Sequence, residues 1–326
     1  MKTHSHPTSA PKVAVLMPEE VRSRIFSAQV EDALSAFAQP VFVSDEDLAS
    51  GAFAAALTDV TAVITGWLSP KLSQVVAPRG EVAFVSHAAG SVKLLDVETA
   101  LVDGHIRVSH AAPQIALAVA EFTLTQILAH LRLQGQQDAG LRGTLGWAEM
   151  RKDLLGQLLA EQTVGLVGLG YVGRVVLDRL RPFGCKVAVY DPFISAEEAD
   201  RLSVTLMELD ALFAGCAVVS LHAANLPATT GMIKGRYLQA MADGSLLVNT
   251  ARAGLLEPGA LVAELQGGRI FAAIDTFDIE PLPDDDPSAD ILRGMYRLRA
   301  RSVDAAPCAH LLAAGPLVMA ALEAAE

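Results

Sequence analysis

Three glycines follow a short apolar run near the middle of the chain, in the spacing Gly168-x-Gly170-x-x-Gly173. Between a strand and a helix, this spacing permits a tight turn, a close approach of the backbone to a pyrophosphate, and close packing of the helix on the strand. The start of the helix then directs N–H groups and the positive end of its dipole at the phosphates. Glycine-rich turns also match the spacing by chance, so a purely structural turn is the alternative.

A carboxylate stands where such a unit needs one. Residues 186–190 (Lys-Val-Ala-Val-Tyr) predict a second strand, and Asp191 follows it directly. An acid at this place accepts hydrogen bonds from the ribose hydroxyls of the adenosine half, and it disfavours the 2′-phosphate that distinguishes NADP. The glycines and the acid together predict a dinucleotide site that prefers NAD.

Further polar residues lie at or near the ends of later apolar runs. Arg252 follows Asn-Thr-Ala, Asp275 lies within Ala-Ala-Ile-Asp-Thr-Phe, and Glu280 follows in Asp-Ile-Glu-Pro. A guanidinium at a strand end can hold a carboxylate through two parallel hydrogen bonds. Asp275 needs partners, because burying a bare carboxylate costs several kcal/mol. Taken alone, Arg252 also fits a surface arginine paired with an acid, and Glu280 fits a solvated loop residue.

A small-residue loop over 87–93 (His-Ala-Ala-Gly-Ser-Val-Lys) follows an apolar run in the first third of the chain. Ligands of open α/β sheets bind at the carboxyl ends of strands. The backbone N–H groups near Gly90 and Ser91 could therefore hold an anion. A plain turn is an equally good interpretation of this loop.

Apolar strand patterns alternate with helical patterns along most of the chain, which predicts parallel, doubly wound sheets. A long apolar helix is expected over 112–133, and a polar, glycine-containing loop over 134–146. The remaining expected strands are 13–17, 41–43, 62–65, 82–85, 106–109, 217–221, 245–248 and 270–277, and the remaining expected helices are 21–38, 206–213, 233–241 and 258–266.

Bulk composition excludes several classes of protein. The 326 residues suffice for two domains, and 52% hydrophobic residues can fill large cores. The net charge of −12 disfavours nucleic acid as a partner. We expect no apolar run long enough for a membrane span of ~20 residues, and the polar first twelve residues lack the core of a signal peptide. Three cysteines without paired spacing fit a reducing cytoplasm and predict neither disulfides nor a metal site.

Six stretches together resemble one family, the D-isomer-specific 2-hydroxyacid dehydrogenases, over roughly residues 13–287. They are the loop 87–93, the segment 119–124 (Val-Ala-Glu-Phe-Thr-Leu), the glycine loop, 218–222 (Val-Val-Ser-Leu-His), 248–254 (Val-Asn-Thr-Ala-Arg-Ala-Gly) and 274–281 (Ile-Asp-Thr-Phe-Asp-Ile-Glu-Pro). The resemblance implies two doubly wound parallel-sheet domains, the second a Rossmann NAD-binding domain inserted in the chain of the first. The substrate domain would comprise 1–111 plus about 303–326, and the NAD-binding domain 112–302.

The resemblance also assigns roles to residues. Arg252 matches the catalytic arginine of the family, Glu280 its catalytic glutamate, and Asp275 the aspartate near the nicotinamide end of the cofactor. The substrate carboxylate would be held by Arg252 and by the loop residues Ala89, Gly90 and Ser91. The implied cofactor-binding residues are Gly168, Gly170, Tyr171, Val172, Gly173, Asp191, His222, Thr250, Ala251 and Asp275.

The implied reaction is the transfer of a hydride between NADH and a small 2-oxo acid or D-2-hydroxy acid. Arg252 would hold the carboxylate and stabilise the charge that develops on the carbonyl oxygen. A histidine would donate the proton, and Glu280 would favour its protonated form.

The sequence departs from the family at that histidine. The family carries it in a Pro-His pair after the Glu-Pro segment, and this chain has no such pair. His310, in Pro-Cys-Ala-His, is the candidate acid, and an ordinary histidine in the tail is the alternative. His222 is the runner-up by its position at a strand end, although in the family that strand end faces the cofactor.

Two other functions stay open because of this departure. The chain could bind NAD as a regulator or scaffold with weak or no turnover, or it could be a formate-type dehydrogenase that needs no proton donor. The resemblance further implies a homodimer formed through the helix over 112–133. The sequence leaves the identity of the 2-hydroxy acid open, because pocket residues of the first domain decide it.

Overall fold

The computed structural model describes residues 10–143, 146, 148, 151–152 and 154–277. The described chain forms two compact units, one up to Ala118 and one from Val119. The boundary expected from the sequence, between residues 111 and 112, lies at the start of the helix Ala112–Leu131. The observed boundary, between Ala118 and Val119, lies within that helix. The predicted return of residues 303–326 to the first domain lies outside the described residues.

The first unit is a five-stranded parallel sheet in the order β2-β1-β3-β4-β5. This is a doubly wound order that reverses direction between β1 and β3. Alternate residues of β1 enter two different cores, Val13 and Val15 on one face and Ala14 and Leu16 on the other. Its strands are β1 (Lys12–Leu16), β2 (Gln39–Phe42), β3 (Val60–Thr65), β4 (Phe84–His87) and β5 (Arg107–His110).

Four α-helices cover this sheet: α1 (Glu19–Ile25), α2 (Ala28–Ser35), α3 (Asp45–Ser50) and α4 (Glu98–Val102). The prediction of a single helix over 21–38 is wrong, because the helix is interrupted between α1 and α2. Phe26 leaves the helical region, with φ −101° and ψ 79°, and the Ser27 side chain caps α2 by accepting a hydrogen bond from the Val30 N–H.

The second unit is a six-stranded parallel sheet in the order β11-β10-β9-β6-β7-β8. Its strands are β6 (Thr163–Val167), β7 (Lys186–Tyr190), β8 (Thr205–Leu206), β9 (Val218–Leu221), β10 (Leu246–Asn249) and β11 (Phe271–Ile274). Counted from β6, this is the Rossmann order 3-2-1-4-5-6, whose direction reverses between β6 and β9. The prediction of two doubly wound parallel sheets, the second of Rossmann type, is confirmed.

Between α4 and the second sheet lie α5 (Ala112–Leu131) and α6 (Gln134–Arg142), and the helices of the second sheet are α7 (Tyr171–Leu180), α8 (Ala196–Leu202), α9 (Leu209–Gly215), α10 (Gly235–Ala240) and α11 (Ala260–Gln266). The prediction of a loop over 134–146 is therefore wrong for Gln134–Arg142, which form α6. Glutamine-rich polar stretches form helices as readily as loops, and the Gln137 side chain fastens this one by donating to the Leu154 carbonyl at 3.0 Å.

Helix α5 is 20 residues long and, by length and composition alone, apolar enough to cross a membrane, which corrects the expectation that no segment reaches that length. Half of its most apolar window is buried within the protein. Ala120, Ile127 and Leu131 of α5 belong to the core that contains Val164 and Val248 of the second sheet. Core helices of globular domains also have this length and composition, so these two properties do not identify a membrane span.

Candidate functional site

Five strands of the second sheet end in one row. Val167, Tyr190, Leu221, Asn249 and Ile274 are joined by the register of neighbouring strands. Each of the next residues along the chain was predicted to bind the cofactor; they are Gly168, Asp191, His222, Thr250 and Asp275. The structure therefore brings these five residues to one edge of the sheet, around the point where the strand order reverses. Ligands of open α/β sheets bind at this place.

The glycine loop joins β6 to α7, and two of its glycines are required by their surroundings. Gly168 has φ +93°, and a Cβ there would lie 2.7 Å from the Ala223 nitrogen. A Cβ on Gly173 would lie 2.3 Å from the Gly168 carbonyl oxygen. Because ordinary side chains cannot occupy either position, these two glycines hold β6, β9 and α7 close together.

Gly170 differs from the other two glycines. It is the N-cap of α7, and no atom of the described residues lies within 4 Å of a Cβ built on it. Nor does any described side chain cap this helix. An open space before an uncapped helix N-terminus fits a pyrophosphate, since the backbone N–H groups of the first turn need acceptors.

Asp191 is held in place by the glycine loop. Its Oδ2 accepts a hydrogen bond from the Leu169 N–H at 2.7 Å, and its Oδ1 accepts one from the Phe193 N–H at 2.9 Å. A carboxylate has about four acceptor positions, so each oxygen keeps one for another donor. This arrangement fits the two ribose hydroxyls of NAD, and the fixed negative charge disfavours a phosphate on the same ribose.

His222 lies against the glycine loop, with its Cβ 3.6 Å from a Cβ built on Gly173. Its Nε2 is 2.9 Å from the Ser220 hydroxyl, and within the described structure its buried Nδ1 has no hydrogen-bond partner. Burial lowers the pKa of His222 to about 3. The imidazole is therefore neutral near pH 7, which argues against His222 as the proton donor. Its unpartnered nitrogen in this crevice is a further place that a hydroxyl of the cofactor fits.

The neutral state of the His222 imidazole has a consequence for stability. Between pH 6.5 and 3 the unfolded chain binds a proton at this histidine that the folded chain does not bind. The free energy of unfolding therefore decreases as the pH falls through this range, and His222 has no such effect above pH 7. We expect a His222→Gln variant to lose less stability than the parent between pH 7.5 and pH 5. Urea unfolding at both pH values measures this. An equal loss in both proteins would show that His222 does not carry the effect.

Arg252 follows β10 in extended conformation, with φ −150° and ψ 141°. Its guanidinium is exposed, and its Nη1 donates to the carbonyl oxygen of Ala251 at 2.6 Å. Among the residues that the structure describes, no carboxylate forms an ion pair with it. The interpretation of Arg252 as a surface arginine paired with an acid thus finds no support there. Asp275, which follows β11, donates its backbone N–H to the Asn249 carbonyl at 3.1 Å beside this turn.

In the first unit, the predicted carboxylate loop starts at the end of β4. The Ala111 N–H donates to the carbonyls of both His87 and Ala89 and so fixes the start of the loop. Gly90 and Ser91 then lie exposed, and their backbone N–H groups find no acceptor within the described part of the chain. A Cβ on Gly90 would meet, of the described side chains, only Ile115 at 3.8 Å. The N–H groups suit an anion, and whether they hold a substrate carboxylate stays a prediction.

Glu280 and His310, the other two predicted catalytic residues, lie outside the described residues. Two residues without a role expected from the sequence also belong to the site. Asn249 and Thr123 are fully buried, and both fasten the turn that carries Arg252: Asn249 by bonds to its backbone, and Thr123 by its hydroxyl, 3.2 Å from that of Thr250. Asn249 had a visible signal, a polar residue at the end of an apolar strand. Thr123 had none.

Comparison with known proteins agrees with this geometry. Residues 124–294 match the family model described as D-isomer specific 2-hydroxyacid dehydrogenase, NAD binding domain. D-3-phosphoglycerate dehydrogenase of Mycobacterium tuberculosis is 33% identical over 231 residues, and the human enzyme of that name is 31% identical over 240. These matches cover 71% and 73% of this chain. The chain spans only 43% and 44% of the length of these two relatives.

Solved structures show the same fold over nearly the whole chain. The TT0316 protein of Thermus thermophilus is similar with a TM-score of 0.70 and 25% identity, covering 96% of this chain and 97% of its own. The family match spans more than half of the sequence, and it contains the glycine loop, Asp191, His222, Arg252 and Asp275. This chain belongs to the D-isomer-specific 2-hydroxyacid dehydrogenase family and carries the NAD-binding domain of that family.

Proposed function

We propose that this protein is an NAD-dependent oxidoreductase that interconverts a small 2-oxo acid and the corresponding D-2-hydroxy acid. The observation that carries the proposal is the position of Arg252. It stands at the same edge of the sheet as the NAD crevice, with an exposed guanidinium that pairs with no acid among the described residues. Family members are NAD-dependent oxidoreductases, and the relatives named D-3-phosphoglycerate dehydrogenase support a hydroxy-acid substrate.

The site residues have distinct parts in the proposed reaction. Gly170 and the start of α7 bind the pyrophosphate, and Asp191 binds the adenosine ribose. Arg252 binds the substrate carboxylate and stabilises the negative charge that develops on the carbonyl oxygen. Bound NADH supplies the hydride for the carbonyl carbon. The carbonyl oxygen takes a proton from His310, which Glu280 keeps protonated, and the product is the 2-hydroxy acid with NAD⁺.

The test is NADH oxidation with a panel of 2-oxo acids, run beside NADH binding measured by fluorescence. We expect binding together with turnover of at least one 2-oxo acid. Binding without turnover of any panel member would favour the cofactor-bound regulator instead. Reduction of NAD⁺ by formate, with no turnover of 2-oxo acids, would favour a formate-type dehydrogenase.

We further propose a cytoplasmic homodimer whose subunits meet through α5. The resemblance to the family supports the dimer, and Leu117 on this apolar helix remains 46% exposed in the single chain. Light scattering of the purified protein should give twice the mass of 34.3 kDa. A mass of one chain at micromolar concentration would contradict the dimer.

A further inference from the structure

Arg252 depends on its backbone for its position. Its side chain bonds only to the carbonyl of the preceding residue among the described groups, and no described acid holds it. A guanidinium binds a carboxylate through a rigid fork, so a shift of the turn that carries it misplaces both hydrogen bonds. Whatever fixes the turn after β10 therefore fixes the binding geometry.

The side chain of Asn249 holds this turn from both sides. It is the last residue of β10 and is fully buried. Its Oδ1 accepts from the Ala251 N–H at 3.1 Å, and its Nδ2 donates to the Arg252 carbonyl at 3.0 Å. An amide is the side chain that offers an acceptor and a donor at this separation.

The backbone of Asn249 links the same turn to the next strand. Its carbonyl oxygen accepts from the Asp275 N–H at 3.1 Å. One buried residue thus contacts the two backbone segments that present Arg252 and Asp275. From the other side, the hydroxyls of Thr250 and Thr123 meet at 3.2 Å.

We propose that Asn249 is a positioning residue for substrate binding: its carboxamide fixes the turn that presents Arg252 to the substrate carboxylate. This inference rests on the proposed function, because it assigns to Arg252 the role of binding that carboxylate. Asn249→Asp is the informative variant. It keeps the size and the acceptor for Ala251 but replaces the donor with an oxygen that faces the Arg252 carbonyl.

The experiment measures oxalate affinity for the NADH-bound protein by calorimetry. Oxalate is a small dicarboxylate that undergoes no reduction here, so the readout does not need turnover. The variants are Asn249→Asp, Arg252→Ala and the double variant, with Leu246→Ala as the control. Leu246 is buried at the opposite end of β10, so this control reports general damage to the strand.

We expect Arg252→Ala and Asn249→Asp each to weaken oxalate binding by ~10-fold or more, and the double variant to be no weaker than Arg252→Ala alone. NADH affinity should fall much less than oxalate affinity in Arg252→Ala and Asn249→Asp, because the glycine loop and Asp191 lie outside this turn. Amide exchange adds a second readout: in Asn249→Ala the Ala251 amide should exchange faster, whereas in Asn249→Asp it should stay protected.

Two results would overturn the inference. One is normal oxalate affinity in Asn249→Asp while Arg252→Ala binds weakly. The other is a full additional loss in the double variant, which would show that Asn249 acts by a route other than Arg252, including direct repulsion by the new carboxylate. Normal oxalate affinity in Arg252→Ala is a different pattern, and it would refute the assigned role of Arg252 itself.

Discussion

Replacing Arg252 with alanine is expected to lower kcat/KM for 2-oxo acid reduction by ~10³-fold or more, since in the proposed mechanism the substrate loses both its carboxylate partner and the charge that stabilises the developing oxyanion. Folding stability should change little. The side chain is exposed and forms no ion pair among the described residues. NADH affinity should also largely persist, because the proposed sites for the phosphates and the adenosine ribose, the glycine loop and Asp191, lie elsewhere along the sheet edge.

Two further variants show whether the effect belongs to this position. Arg252→Lys keeps the charge but loses the planar fork, so it should recover only part of the lost rate. Arg236→Ala removes another exposed arginine of the same unit, one that pairs with Asp210 at 3.8 Å and lies over the Tyr237 ring at 4.8 Å. Its kcat/KM should match that of the parent. A loss below ~10-fold in Arg252→Ala would remove this residue from the mechanism.

The second large effect concerns the glycine loop. Substitution of Gly170 should weaken NADH binding, whereas substitution of Gly173 should lower folding stability. Gly170→Asp should weaken NADH binding by ~10²-fold or more, because a negative charge would enter the space that the pyrophosphate needs. Its folding stability should be preserved, since aspartate is a good N-cap and no described atom lies within 4 Å of the new Cβ. Gly170→Ser, an equally good but neutral cap, separates the effect of charge from that of size.

Gly173→Ala should instead destabilise the fold, by about 2 kcal/mol or more, because its Cβ would lie 2.3 Å from the Gly168 carbonyl oxygen. Fluorescence titration with NADH and urea unfolding measure the two properties side by side. Unchanged NADH affinity in Gly170→Asp would place the pyrophosphate somewhere other than this loop. Stability equal to that of the parent in Gly173→Ala would show that the loop has more room than its geometry indicates.

Some elements could be predicted from the sequence because their signals are local. A parallel strand buried on both faces is a short apolar run, so most strands were found to within two residues. The strand expected over 270–277 was too long, because β11 ends at Ile274, and two other segments had no such signal. Thr205–Leu206 is a two-residue, exposed edge strand, and Gln134–Arg142 is a polar helix with little apolar periodicity. The break at Phe26 and Ser27 interrupts a pattern that reads as one continuous helix.

By itself, the sequence determined the family, the two doubly wound sheets and the positions of Gly168, Asp191, Arg252 and Asp275, because these residues follow apolar strands directly or, for Arg252, within three residues. Only the tertiary structure decided which strand ends lie side by side, since β6 and β9 are far apart along the chain. Burial of its ring, which no local pattern encodes, lowers the pKa of His222, and only the folded chain brings the Asp275 N–H to the Asn249 carbonyl. These properties arise from neighbours in space, so they could be read only from the folded chain.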